Sequence, residues 1–181
     1  MTKIQRSALS WHRRALAGAV ACLLVTTAGA QGAETTGAAA FEMLKGLSGT
    51  WEGTAADGEM QFPAQVVYRL ASNGTVVMET LFPGTEHEMI SMYHLDGESL
   101  VMTHYCAIGN QPRMRLDLSR STPNHLVLAF DGGTNLDPKK DGHIHAGEVA
   151  LRPGGALHAE WIYFDQGKEQ GTKKLDLHRK P

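Results

Sequence analysis

From Gly49 to Arg179 the chain is a series of short segments in which apolar and polar residues alternate, and most segments end at a Gly, Asn-Gly or Asp-Gly signal. Alternation with a period of two is typical of β-strands that bury one face. The pattern predicts ten strands, over Gly49–Thr54, Met60–Leu70, Val76–Leu81, Glu88–His94, Leu100–Ile108, Arg113–Ser119, His125–Asp131, His143–Leu151, Leu157–Phe164 and Gly171–Arg179.

The connections between these strands are mostly tight turns. Ser72-Asn73-Gly74 and Asp96-Gly97 are strong hairpin signals, and the longest connection, 131–142, is expected to form an open loop at one rim. Consecutive strands joined by tight turns form an antiparallel meander, which loses its exposed edges most simply by closing. We therefore predict an all-β fold, a single antiparallel up-and-down β-barrel of about ten strands that is wide enough for one small ligand.

A basic segment and then an apolar segment open the chain. The apolar run over 15–25 has no acidic residue, and small residues at 28–30 match a cleavage site; the basic residues before it are Lys3, Arg6, Arg13 and Arg14. The run is too short to span a bilayer. We predict a signal peptide over 1–30 and a periplasmic or secreted protein with no stable membrane span after cleavage. Arg13-Arg14 leaves the twin-arginine export route open.

The segment between the signal peptide and the first strand divides into two parts. Residues 31–40 are small and polar, which predicts a flexible leader. Phe41–Leu47 can form one or two helical turns that end at Gly46 or Gly49. The predicted barrel domain therefore covers 41–181, with a short helix before its first strand.

Charge and cysteine content limit the possible partners. Without the four basic residues of the signal peptide, the chain keeps 13 basic and 19 acidic residues, a net charge near −6, and it has no basic run. Nucleic acid is therefore not an expected partner. Cys22 falls in the signal peptide, so Cys106 is alone in the mature chain and cannot form an internal disulfide. Nothing in the sequence decides the oligomeric state.

A glycine and a tryptophan at the start of the first strand, Gly49 and Trp51, and an arginine in the last strand, Arg179, resemble the layout of the calycin superfamily. In these lipocalins and fatty-acid-binding proteins, a short helix leads into a G-x-W strand, and a late arginine packs over the tryptophan. The resemblance implies that Arg179 covers Trp51. Ten strands are closer to the fatty-acid-binding and nitrobindin type than to the eight-stranded lipocalins.

Two further motifs extend the resemblance. The blocks Thr103–Cys106 and Gly109–Met114 are similar to those of exported, lipocalin-like bacterial proteins whose activity is not known. Nitrobindins bind haem through a histidine near the C-terminal strand, and His178 lies at a similar place, although the glycine-rich first strand of nitrobindins is absent after Gly53. The resemblance thus implies a ligand-binding barrel and leaves haem as an alternative.

The segment from Glu86 to Met114 mixes histidine, methionine, cysteine and amide side chains, a mixture typical of a cavity with a few placed polar groups. If Arg113 points inward, its guanidinium can bind a ligand carboxylate, and Glu79 would be its counter-ion in the empty barrel. Trp161 and Tyr163 share one face of their strand and would supply contact area. The predicted ligand site comprises Glu79, His104, Cys106, Asn110, Gln111, Arg113, Trp161 and Tyr163.

A metal site is the alternative. His143 and His145 share a strand face, so their imidazoles can project side by side. Together with His104, Cys106 or Glu79 they could bind Zn²⁺ or copper. The competing interpretation is that the two histidines are solvated rim residues beside the 137–142 loop.

The sequence predicts an exported barrel that binds a small, largely apolar ligand, with or without an anionic group, and no cofactor. The alternative is a barrel that binds Zn, Cu or haem through His and Cys ligands. A small enzyme on the same barrel is a second alternative, but no serine-hydrolase elbow, zinc-protease motif, phosphate loop or dinucleotide fingerprint occurs.

Overall fold

The computed structural model describes residues 35–181, and the predicted signal peptide together with residues 31–34 lies outside them. The helix α1 spans Gly37–Gly46, and a 3-10 turn spans Ser72–Gly74. The strands are β1 Gly49–Asp57, β2 Met60–Ala71, β3 Val76–Leu81, β4 Met89–Asp96, β5 Ser99–Tyr105, β6 Gln111–Leu116, β7 His125–Thr134, β8 His143–Leu151, β9 Leu157–Asp165 and β10 Lys168–Arg179.

Each strand pairs antiparallel with the next one in sequence, and β10 returns to β1, so the sheet closes into a barrel. In the closing pair Trp51 lies opposite Arg179 and Asp57 lies opposite Lys173. This is the all-β, up-and-down barrel of ten strands with one preceding helix that the hydrophobic pattern predicts. The architecture is consistent with a lipocalin-like fold.

Several strand bounds differ from the prediction, each for a local reason. β5 ends at Tyr105 because the chain turns there: Cys106 N–H donates to Asn110 O, and Gly109 adopts a φ of 95°. β10 begins at Lys168 because Gln166 and Gly167 both have positive φ, which makes a two-residue hairpin, and a bulge follows before Gly171.

The helix begins at Gly37 instead of Phe41, so part of the segment predicted to be a flexible leader is helical. Thr36 caps it, because its hydroxyl oxygen accepts the backbone N–H of Ala39. Its buried residues include Ala40 and Leu44, and it packs against β4 and β5. No helix among residues 35–181 has the length and apolar character needed to cross a membrane.

The helix closes the base of the barrel together with Trp51 and Arg179. Trp51 Nε1 donates to Leu47 O at 2.8 Å, and the Arg179 guanidinium lies 4.5 Å from the centre of the indole ring. Arg179 also donates to the carbonyl oxygens of Gly46 and Ser48 at the end of the helix. The predicted contact between Arg179 and Trp51 is confirmed.

A hydrophobic core fills the end of the barrel that is nearest the helix. It contains the large buried side chains Trp51, Tyr93, Leu44, Leu100, Met102, Met114, Leu126 and Leu128. At the opposite end, where β1, β3, β5 and β9 finish, smaller residues such as Ala55 and Ala107 leave a cavity. The lumen is thus packed at one end and hollow at the other.

Candidate functional site

The cavity at the end of the barrel away from the helix has a volume of about 500 Å³. Cavities of this size hold drug-sized molecules. Its wall is mostly apolar, with side chains that include Ala55, Phe62, Leu81, Phe82, Ile144 and Leu175. The polar groups among its lining residues include Asp57, Ser91, His104, Cys106, Tyr163 and Lys173.

Glu79 is fully buried on the inner face of β3 and is not among the residues that line the cavity. The Tyr68 hydroxyl donates to one carboxylate oxygen at 2.6 Å, and the Tyr93 hydroxyl donates to the other at 2.9 Å. Burial raises the pKa of Glu79, while the hydroxyl groups of Tyr68, Ser91 and Tyr93 act in the opposite direction.

His104 extends this network to the cavity. Its Nδ1 lies 3.1 Å from Ser91 Oγ, and burial lowers its pKa to about 4, so the ring is neutral at neutral pH. A neutral imidazole has only one N–H. In the tautomer in which Nδ1–H donates to Ser91 Oγ, Nε2 carries a lone pair. That Nε2 is buried and has no hydrogen-bond partner.

Trp161 is the second cavity-lining residue with an unpartnered polar atom. Its side chain lines the wall from β9, and its buried Nε1–H has no acceptor. The indole occupies the space above Gly147 on β8, where a Cβ would lie 2.2 Å from ring atom Cε3. Both side chains line the cavity, and His104 Nε2 and Trp161 Nε1 are its two buried polar atoms without a hydrogen-bond partner among the described residues.

Two sulfur atoms lie close together on the same wall. Cys106 Sγ is 4.0 Å from Met89 Sδ, and both side chains line the cavity. Tyr163 lines it from β9, and burial, Asp165 and Cys106 together raise its pKa. His104, Cys106, Trp161 and Tyr163 of the predicted ligand site thus all line this cavity, and their binding of a ligand stays a prediction.

The structure places Arg113 outside the lumen, which corrects the expectation that it binds a ligand carboxylate. Pro112 and Met114 are buried, so the alternation of β6 turns Arg113 outward, where 52% of its side chain is exposed. It forms an ion pair with Asp131 at 3.3 Å. Glu79 is therefore not its counter-ion.

Asn110 and Gln111 are also outside the cavity lining. The buried Asn110 donates to Gly142 O at 2.8 Å and so joins the turn after β5 to the start of β8. Gln111 accepts from Thr134 and Asn135 on the neighbouring β7 and the loop after it. Both amides hold the rim together instead of lining the pocket.

His143 and His145 hydrogen-bond to each other and not to His104. His143 Nδ1–H donates to Asp141 O at 2.8 Å, so its Nε2 accepts from His145 Nδ1 at 3.0 Å. His145 stacks on Phe130 and Phe164, and burial lowers its pKa, as does His143. Neither histidine lines the cavity, so the described residues do not form the predicted metal site of His104, His143 and His145.

A lumenal haem site at His178 does not fit either. The His178 side chain is 68% exposed and lies beside Glu52 on the outside of the barrel. Within residues 35–181, the group of three metal-ligating side chains that does come together is Glu148, His158 and Glu160, on the outer face of β8 and β9. Both ring nitrogens of His158 already face carboxylates, and Lys174 is paired with Glu160.

Sequence reasoning missed several residues of the site. Met89 and Ser91 alternate with Tyr93 on the inner face of β4, a pattern visible in the sequence but not distinctive without knowing which face is inward. Lys173 and Asp57 meet as an ion pair at the mouth. Their pairing depends on how the last strand meets the first, so no local signal could have revealed it.

The chain was compared with protein families, curated proteins and solved structures, and no match was found in any of the three.

Proposed function

We propose that this protein binds and carries a small, largely apolar molecule in its lumen, with His104 Nε2 as the polar anchor. The observation that carries the proposal is an apolar cavity of about 500 Å³ lined in part by His104, whose buried Nε2 has no hydrogen-bond partner. The proposal takes the tautomer in which this Nε2 carries the lone pair. A buried polar group without a partner costs about 1–3 kcal/mol. A ligand that donates a hydrogen bond to Nε2 removes this cost while its apolar body fills the cavity.

The polar groups of the cavity favour a hydroxyl on the ligand. His104 Nε2 needs a donor and Trp161 Nε1 needs an acceptor, and a hydroxyl group supplies both functions. β5 and β9 are separated by three strands, so the two groups lie on different walls. One hydroxyl-bearing ligand can satisfy either group, and a ligand with two polar ends can satisfy both.

The charges at the cavity favour an uncharged ligand. Arg113 is outside the lumen, and Lys173 and Lys174 already have carboxylate partners in Asp57 and Glu160. An anionic ligand would have to compete with these carboxylates for a cation. The anionic group considered from the sequence is therefore not part of the proposed ligand.

A pair of isomeric probes tests the anchor. 1-Octanol and heptyl methyl ether have the same atoms, but only the alcohol can donate to His104 Nε2. We expect the metal-free protein to bind both, measured by displacement of a fluorescent apolar dye, and to prefer the alcohol by about fivefold, because a net hydrogen bond contributes about 1 kcal/mol. His104→Leu should bind both probes with equal affinity.

Arg113→Ala is the matched control, because Arg113 lies outside the cavity, and it should keep the preference of the wild type. If neither probe binds the wild type, the lumen is not a carrier site for such molecules. An equal affinity of the wild type for both probes would leave the apolar cavity but remove His104 as the anchor.

The proposal includes export of the protein and its place in the calycin superfamily. The ten-stranded barrel and the Arg179–Trp51 contact support the second part. Export rests on the basic and apolar pattern of residues 1–30. N-terminal sequencing of protein from the periplasmic or secreted fraction should begin at Gln31; an intact Met1 would contradict the signal peptide.

A further inference from the structure

Three side chains that can bind a soft metal ion line neighbouring parts of the cavity wall. Met89 lies on β4, His104 lies on β5, and Cys106 lies in the turn after β5. Met89 and Cys106 approach each other through their sulfur atoms at 4.0 Å. His104 lies two residues before Cys106, and its buried Nε2 has no hydrogen-bond partner. All three side chains line the same cavity.

The distance between the sulfur atoms suits a shared ion. Two sulfur ligands, each about 2.3 Å from a metal and separated by about 120° in a trigonal arrangement, lie about 4 Å apart. Thiolate and thioether ligands select Cu(I), and imidazole also binds copper. Ser91 Oγ contacts His104 Nδ1, which is the place of the outer partner of a metal-bound histidine, and Nε2 has no partner.

We propose that Met89, His104 and Cys106 form a Cu(I) site on the cavity wall. When the ion binds, the Cys106 S–H bond breaks, its proton goes to solvent, and a copper–thiolate bond forms with no change in oxidation state. The inference does not rest on the carrier function, although both use His104 Nε2. It differs from the metal site expected from the sequence, because Met89 takes the place of His143 and His145.

Anaerobic titration of the purified protein with Cu(I), in competition with a chromophoric Cu(I) chelator, tests the site, and native mass spectrometry gives the stoichiometry. We expect one ion per chain. Cys106→Ser should lose the ion. Met89→Leu, a substitution that nearly conserves volume, should weaken binding by about tenfold or more.

Met60→Leu is the control, because Met60 is 66% exposed and outside the cavity lining, and it should bind as the wild type does. No bound ion, retention of the ion by Cys106→Ser, or equal affinities of Met89→Leu and Met60→Leu would each overturn the site. Circular dichroism of every variant verifies the fold. The alcohol and ether probes are measured without metal, so their result is independent of the copper result.

Discussion

At the scale of single residues, the most unusual group is Glu79, a fully buried carboxylate without a cationic partner among the described residues. The hydroxyl groups of Tyr68 and Tyr93 hydrogen-bond to it. Ser91 Oγ is hydrogen-bonded instead to His104 Nδ1 and also acts to lower the pKa of Glu79. The buried carboxyl group therefore lies beside the side chains that support His104.

The raised pKa of Glu79 predicts a pH-dependent stability. Because the folded state binds this proton more tightly than the unfolded state, the free energy of unfolding should fall as pH rises from about 4.5 through the folded pKa. The slope from this group reaches about 1.4 kcal/mol per pH unit. Glu79→Gln lacks the titrating group and should lack this slope.

Urea unfolding of both proteins over a pH series measures the effect. The stability of the wild type relative to Glu79→Gln should decline with rising pH, and the contributions of His104 and the tyrosines largely cancel in this comparison. A difference that does not change with pH would show that the folded and unfolded pKa values of Glu79 are equal.

At the scale of elements, the base of the barrel depends on one contact between chain ends. Arg179 on β10 covers Trp51 on β1 and donates to carbonyls at the end of α1, so it joins the helix and the two strands that close the sheet. These carbonyl groups at the helix C-terminus have no partner within the helix. A cation there also suits the helix dipole.

Arg179→Ala should therefore lower the free energy of unfolding by about 2 kcal/mol, through the lost cation–π contact and the lost charged hydrogen bonds. Arg152→Ala is the comparison, because Arg152 makes only an exposed ion pair with Asp176 at 3.4 Å, and it should cost less than about 1 kcal/mol. Chemical denaturation measures both. Equal losses would mean that the Arg179 contacts add nothing beyond a surface charge.

At the scale of the whole molecule, the lumen is divided into a packed end and a hollow end. Ala55 and Ala159 are both buried alanines on the barrel interior, but only Ala55 lines the cavity. The same substitution at the two positions therefore probes the two ends.

Ala55→Leu should place its extra methyl groups in the cavity, leave the stability near that of the wild type and weaken binding of an apolar dye. Ala159→Leu should overpack the core and cost about 1–3 kcal/mol. Thermal unfolding and dye titration measure the two effects. If Ala55→Leu is as destabilising as Ala159→Leu, the cavity is filled by neighbouring side chains in solution.

The sequence by itself determined the class of fold, the number of strands and, to within one residue, most of their bounds. Alternation of apolar residues and turn chemistry are local properties, and ten such segments in sequence leave few options besides a closed meander. It also identified His104, Cys106, Trp161 and Tyr163 as lumenal residues, because period-two alternation places side chains on faces.

Only the tertiary structure decided which face of each strand is inward and which residues meet across the lumen. A shift of one residue reverses the two faces of a strand. In β6 the inward face carries Pro112 and Met114, so Arg113 between them lies outside. The contacts of Glu79 with Tyr68 and of Cys106 with Met89 join residues that are far apart in sequence. Such contacts depend on register and barrel closure, which no local pattern encodes.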